Sequence, residues 1–75
     1  MKKITVSLAS INDVKVFVNL VTKYDFDVDL ISGRYVVDAK SIMGIFSLDL
    51  TQPIDVEVHS DDCDAFMDEI KQFII

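Results

Sequence analysis

Asp25-Phe26-Asp27-Val28-Asp29-Leu30-Ile31-Ser32-Gly33-Arg34-Tyr35-Val36-Val37-Asp38-Ala39 is the stretch that decides the fold of this 75-residue chain. Phe26, Val28 and Leu30 alternate with Asp25, Asp27 and Asp29, the period of two of a strand with one apolar and one acidic, wet face. Ser32-Gly33 or Gly33-Arg34 supplies a two-residue turn, because glycine reaches positive φ without steric penalty. Either loop puts Val37 and Ala39 on the same face as Val28 and Leu30, so the hairpin keeps its register in both cases.

Working outward, Ile4, Val6 and Leu8 alternate with Thr5, Ser7 and Ala9 as a half-buried strand. From Ile11 the period changes to three-to-four: Ile11, Val14, Val18 and Val21, with Phe17 and Leu20 beside them, form the apolar stripe of an amphipathic helix. Ser10 or Asn12 can cap it by accepting an orphan backbone N–H. Four valines (Val14, Val16, Val18, Val21) are weak helix formers, so packing must supply what propensity lacks. On the other side of the hairpin, Ser41 to Leu48 reads as a short helix entered through Ser41. Pro53 introduces a strand in which Ile54, Val56 and Val58 alternate with Asp55, Glu57 and His59. Ser60-Asp61-Asp62 opens a last helix, with acids at its positive end. Its buried stripe is Phe66, Ile70, Phe73 and Ile74, with Met67 at the edge.

The order is strand, helix, strand, strand, helix, strand, helix. One antiparallel sheet with all helices on a single face buries every one of these stripes, which makes the chain an α+β protein with one domain. The formal charge of −6 repels phosphodiester backbones, so no nucleic-acid partner is expected. No apolar run is long enough to span a bilayer, and no signal-peptide core follows the amino-terminal lysines. A single cysteine, Cys63, allows no internal disulfide and fits a reducing compartment. The expectation is a cytoplasmic protein without a membrane partner.

Val37-Asp38-Ala39-Lys40-Ser41-Ile42-Met43-Gly44-Ile45-Phe46-Ser47-Leu48 resembles the signature around the regulatory serine of the HPr family, the phosphocarriers of the sugar phosphotransferase system. Lys40-Ser41-Ile42-Met43-Gly44 is its most specific part. Val18 to Leu30, including Lys23-Tyr24-Asp25, is similar to the family's first helix and second strand without a gap. The resemblance implies an HPr-like open-faced sandwich over residues 1–75, with the order βαββαβα and a four-stranded antiparallel sheet covered on one face by three helices, the middle one short.

The departures from the family concern its chemistry. The family's active loop carries a Gly-Leu-His-Ala-Arg-Pro type motif at the start of the first helix. The ungapped alignment puts Ser10 at the histidine, Asn12 at the arginine and Asp13 at the proline. The segment from Leu8 to Val14 is also shorter than the family's, and Asp49 and Pro53 stand where glycine is common. Phosphate relay needs an imidazole nucleophile, a helix N-terminus and a cation. Serine is a weaker nucleophile, and Asp13 adds negative charge where a dianion must sit. Ser10, Asn12 and Asp13 therefore read as a degenerate active-site loop with no catalytic residue.

His59, the only histidine, lies on the solvent side of its strand among acids. A metal site from His59, Asp62 and Cys63 lacks a paired ligand spacing, so neither metal nor cofactor is expected. Cys63 reads as a small hydrophobe. The acidic stripe of Asp25, Asp27, Asp29 and Asp38 reads as a solvated face.

What remains is Ser41 and its surroundings. In the family from low-GC Gram-positive bacteria this serine is phosphorylated by a dedicated kinase, and the product binds a transcriptional regulator of carbon use. Ile42, Met43 and Phe46 match the exposed apolar surface that docks partners, Lys40 beside Ser41 is a further partner-binding candidate, and Ile45 and Leu48 are expected in the core. The plainer alternatives are that Ser41 only caps its helix and that the patch folds inward. The expectation is a non-enzymatic regulatory or protein-interaction module, monomeric or homodimeric, unable to relay phosphate through a histidine. Its competitors are a phosphocarrier with its acceptor moved to His59 or Ser10, and a degenerate structural domain.

Overall fold

The computed structural model describes residues 2–75. The sheet contains β1 (Lys2–Val6), β2 (Val28–Ser32), β3 (Tyr35–Asp38) and β4 (Ile54–Val58). They are ordered β1-β4-β2-β3, and every neighbouring pair is antiparallel. The helices are α1 (Ile11–Val21), α2 (Ile42–Phe46) and α3 (Asp64–Glu69), the last continued by a 3₁₀ turn over Lys71–Phe73. This is the expected four-stranded antiparallel sheet with three helices, the middle one short.

Val6, Val28, Leu30, Ile54, Val56 and Val58 point from the sheet into one core. Val14, Phe17, Val18 and Val21 of α1, Ile45 of α2, and Phe66, Ile70 and Phe73 at the carboxyl end meet them there. The intervening strand residues (Lys3, Asp29, Asp55 and Glu57 among them) are left on the other, open face. Period-two patterning thus sorts the sheet into a helix-covered face and a solvated one.

The hairpin closes with Ser32 opposite Tyr35, so its loop is Gly33-Arg34. Gly33 sits at φ +60°, and no other described residue has positive φ. One positive-φ residue in the first loop position is the pattern of a type II′ turn. Leu30 then faces Val37, and the Ala39 N–H reaches the Val28 carbonyl at 2.9 Å, so Val37 and Ala39 share the core side with Val28 and Leu30.

Four expectations are corrected. β2 starts at Val28, so Asp25, Phe26 and Asp27 precede the strand. Phe26 instead stacks on Tyr24, with ring centroids 5.2 Å apart. Ile11 is 64% exposed rather than core, because it is the first residue of α1. The last helix opens at Asp64, after Ser60-Asp61-Asp62: the Ser60 hydroxyl accepts from the Asp62 N–H and forms a turn that competes with helix entry. Finally, the helix ends at Glu69, and the chain beyond the 3₁₀ turn becomes extended, with Ile74 pairing against Val6. The Ser7 N–H donates to the Phe73 carbonyl at 2.8 Å and the Ile75 N–H to the Thr5 carbonyl at 3.1 Å. The carboxyl terminus thereby covers the outer edge of β1 and satisfies backbone groups an edge strand would expose.

Candidate functional site

The start of α1 is built by Ser10. Its backbone is extended, and its Oγ accepts a hydrogen bond from the Asp13 N–H at 3.1 Å. This satisfies one of the orphan donors of the first turn. Asn12 is exposed and Asp13 half-buried. Asp13 is the acid of the first turn, where the helix dipole favours negative charge. The three residues thus form a self-contained helix entry with an anion already in it. Of the two capping candidates, Ser10 fills the position.

α2 is entered in the same way. Asp38 ends β3 and turns the chain, its Oδ1 accepting the Lys40 N–H at 2.8 Å. Ser41 is exposed, and its Oγ accepts the Gly44 N–H at 3.2 Å. Gly44 has a packing reason to lack a side chain: a Cβ there would lie 3.1 Å from the Ser41 Oγ and 3.4 Å from the Val37 Cβ. The motif residue therefore leaves room for the serine hydroxyl.

Lys40 is less available than its place beside Ser41 implies. Its stem is half-buried, and its ammonium donates to the Tyr24 carbonyl at 2.9 Å. Ile45 and Leu48 lie in the core, as expected. Met43 is 77% and Phe46 40% exposed, whereas Ile42 packs partly against the core. α2 packs on α1, whose first residue is the exposed Ile11. Ile11 is an apolar side chain the sequence pattern assigned to the interior. Its position one residue past the cap was the available signal, since a stripe frays where its helix begins.

His59 lies elsewhere. It follows β4 on the open face, its N–H donating to the Asp27 carbonyl at 2.9 Å. Its Nε2 is 2.8 Å from Oδ2 of Asp29. Cys63, by contrast, is buried at the N-cap of α3. Of the stripe Asp25, Asp27, Asp29 and Asp38, the ladder holds Asp29 and Asp38, which face each other across β2 and β3.

The chain matches the family described as "PTS HPr component phosphorylation site" over residues 5–75. It belongs to the HPr family. No curated protein gives a significant match. Among solved structures it is similar to HPr-C-His from Thermoanaerobacter tengcongensis, at 24% identity and TM-score 0.80, over 96% of this chain and 89% of that one. The histidine-containing phosphocarrier protein of Mycoplasma follows at 18% identity and TM-score 0.76, over 95% and 89%. A phosphocarrier protein HPr from Bacillus anthracis str. Ames gives 23% identity and TM-score 0.72, over 99% and 94%. At these identities the structural likeness establishes the HPr fold, and the family match establishes membership.

HPr proteins are phosphocarriers rather than catalytic enzymes, and membership implies contact with proteins of the phosphotransferase system. Among the described residues no helix is long and apolar enough to cross a membrane.

Proposed function

We propose that this HPr-family chain is a non-enzymatic regulatory or protein-interaction module that does not relay phosphate through a histidine. The observation that carries this reading is the entry of α1, where Ser10, Asn12 and Asp13 stand and the Ser10 Oγ already accepts the Asp13 N–H. A phosphoryl acceptor there needs an imidazole with a cation nearby. This entry offers a hydroxyl and a carboxylate. The single histidine is on the open face of the sheet, paired with Asp29, away from the helices.

Ser41 is the proposed regulatory position. Its hydroxyl is exposed at the N-cap of α2, within the motif Lys40-Ser41-Ile42-Met43-Gly44. Met43, Phe46 and the flank of Ile42 form the proposed docking surface for a kinase or a transcriptional regulator of carbon use. Exposed methionine and aromatic side chains make adaptable apolar contacts. Lys40 contributes by fixing the approach to Ser41, since its charge is spent on the Tyr24 carbonyl.

Incubation of the purified protein with phosphoenolpyruvate and the general phosphotransferase enzyme is expected to leave it unlabelled. Stable label on any residue overturns the reading, and comparison with His59→Ala and Ser10→Ala places it. Incubation with ATP and the family's serine kinase is expected to label the wild type and not Ser41→Ala. If neither treatment labels the chain and light scattering shows an oligomer, the structural-domain reading replaces this one.

A further inference from the structure

The strand order brings together three side chains that the sequence keeps apart. Asp29 and Glu57 are directly opposite each other on the open face, one on each of the two central strands. His59 lies two residues beyond Glu57 on the same face, and its backbone N–H is tied to the carbonyl of Asp27, the residue just before β2. One ligand atom from each of Asp29, Glu57 and His59 lies within 4.8 Å of the other two.

We propose that Asp29, Glu57 and His59 bind a divalent transition cation of the zinc class on the open face of the sheet. The donor set selects the metal class. Calcium and magnesium take oxygen ligands almost exclusively, whereas one imidazole nitrogen with two carboxylates suits zinc and its neighbours. Bond lengths near 2.0–2.2 Å place ligand atoms of a tetrahedral zinc site roughly 3.3–3.6 Å apart. Asp29 and His59 start at 2.8 Å and separate slightly, while the Glu57 carboxylate moves inward. Among the described residues, the Glu57 carboxylate is held by an ion pair with the exposed Lys3, at 3.6 Å. Such a pair contributes little and yields readily to a metal bond.

Charge favours the same occupant. In register across the sheet stand Glu57, Asp29 and Asp38, three carboxylates on consecutive strands. Like charges directly opposite on a sheet destabilise it, and a dication between Glu57 and Asp29 relieves that repulsion. Asp29 and Glu57 stand on the paired central strands, and His59, one residue past the end of β4, is held by its N–H bond to the Asp27 carbonyl, which fixes the ligand backbones without the metal. His59 gives up any proton on Nε2 as it turns from hydrogen-bond partner to ligand. With three protein ligands, water completes the coordination. The site is independent of the α1 entry and of Ser41.

Isothermal titration of the full chain with zinc chloride tests the site, with magnesium and calcium chloride as comparison titrants. One saturable zinc ion per chain is expected, and no comparable heat from the other two. Asp29→Asn and His59→Ala should each weaken zinc more than about tenfold, as even lesser changes around metal sites do. Cys63→Ser should leave it unchanged. A zinc-dependent rise in Tm should accompany binding and vanish in the same two variants. Absence of saturable zinc binding overturns the proposal. So does binding that survives both Asp29→Asn and His59→Ala, or that disappears in Cys63→Ser.

Discussion

Lys40 and Tyr24 are 16 residues apart, yet the Lys40 ammonium donates to the Tyr24 carbonyl at 2.9 Å. The bond ties the approach to α2 to the loop between α1 and β2. It also explains how a lysine beside an exposed serine is half-buried: the charge finds a fixed acceptor as the side chain leaves solvent. Lys40→Met removes the donor and leaves the Tyr24 carbonyl short of a partner. The expected loss is about 1–2 kcal/mol in urea denaturation, below the upper range for charged hydrogen bonds because the site is only partly buried.

The two caps predict a matched pair of effects. Ser10→Ala and Ser41→Ala each remove a side-chain acceptor from a first-turn N–H. Each is expected to cost about 1 kcal/mol of unfolding free energy, and Ser→Gly at either position much less. Because α2 is a single five-residue helix, the Ser41→Ala loss should appear as local fraying of Ile42–Phe46. Faster amide exchange at Gly44, with β2 and β4 unchanged, is the outcome to look for.

Why the caps and the hairpin were legible and other features were not follows from what periodicity reports. Val28 and Leu30 alternate because one face of their strand meets a core, and that pattern is local. Ser10 and Ser41 were legible because capping is chemistry within four residues. Ile11 was misplaced because the spacing of the stripe outweighed the one local signal against it, its place directly after the Ser10 cap. The start of the last helix was misplaced because Ser60 offers its hydroxyl to the Asp62 N–H, a competition between two local solutions. The partners of His59, Lys40 and Ile74 depend on strand order and chain return. Nothing within ten residues of His59 points to Asp29, which stands opposite Glu57, two residues before His59, only because β2 lies beside β4.

Gly33 is the one described position where the backbone itself selects the residue, at φ +60°. A Cβ there would meet nothing within 4 Å, so any cost of Gly33→Ala is conformational. The expected loss is about 1 kcal/mol, with Gly33→Asn milder because asparagine tolerates positive φ. Equal stability of the alanine variant would show that the turn rearranges without strain.

The Tyr24 hydroxyl donates to Oε1 of Glu69 at 2.9 Å, and this bond, with desolvation and the nearby carboxylate charge, raises the phenol above its ordinary range. A raised folded-state value means the folded chain keeps its proton where the unfolded chain has lost it. The contribution is therefore complete below the ordinary tyrosine range near pH 10 and falls as pH climbs through the folded value. Denaturation of wild type and Tyr24→Phe at steps from about pH 8 to about pH 11 should show their difference shrinking toward the alkaline end. A constant difference would place the stabilisation in packing alone.

Phe66 holds the carboxyl-terminal helix to the rest of the molecule. It is fully buried, with its ring 5.3 Å from Tyr24 and 5.5 Å from Phe26, both edge-on. Those partners precede β2, so the cluster fastens α3 to the chain entering the central sheet. Phe66→Ala removes a core aromatic and should cost about 3–5 kcal/mol. A 75-residue domain has only roughly 4–11 kcal/mol in total. The variant should therefore sit at the margin of folding, and Phe66→Leu, which keeps most of the volume, should remain folded. Cys63, buried at the N-cap of α3, reports the same event independently. Its thiol should react with a disulfide reagent much faster in Phe66→Ala than in wild type. If the thiol stays protected while global stability falls, α3 is held by Ile70 and Phe73 instead, and the aromatic cluster stabilises only the entry to β2.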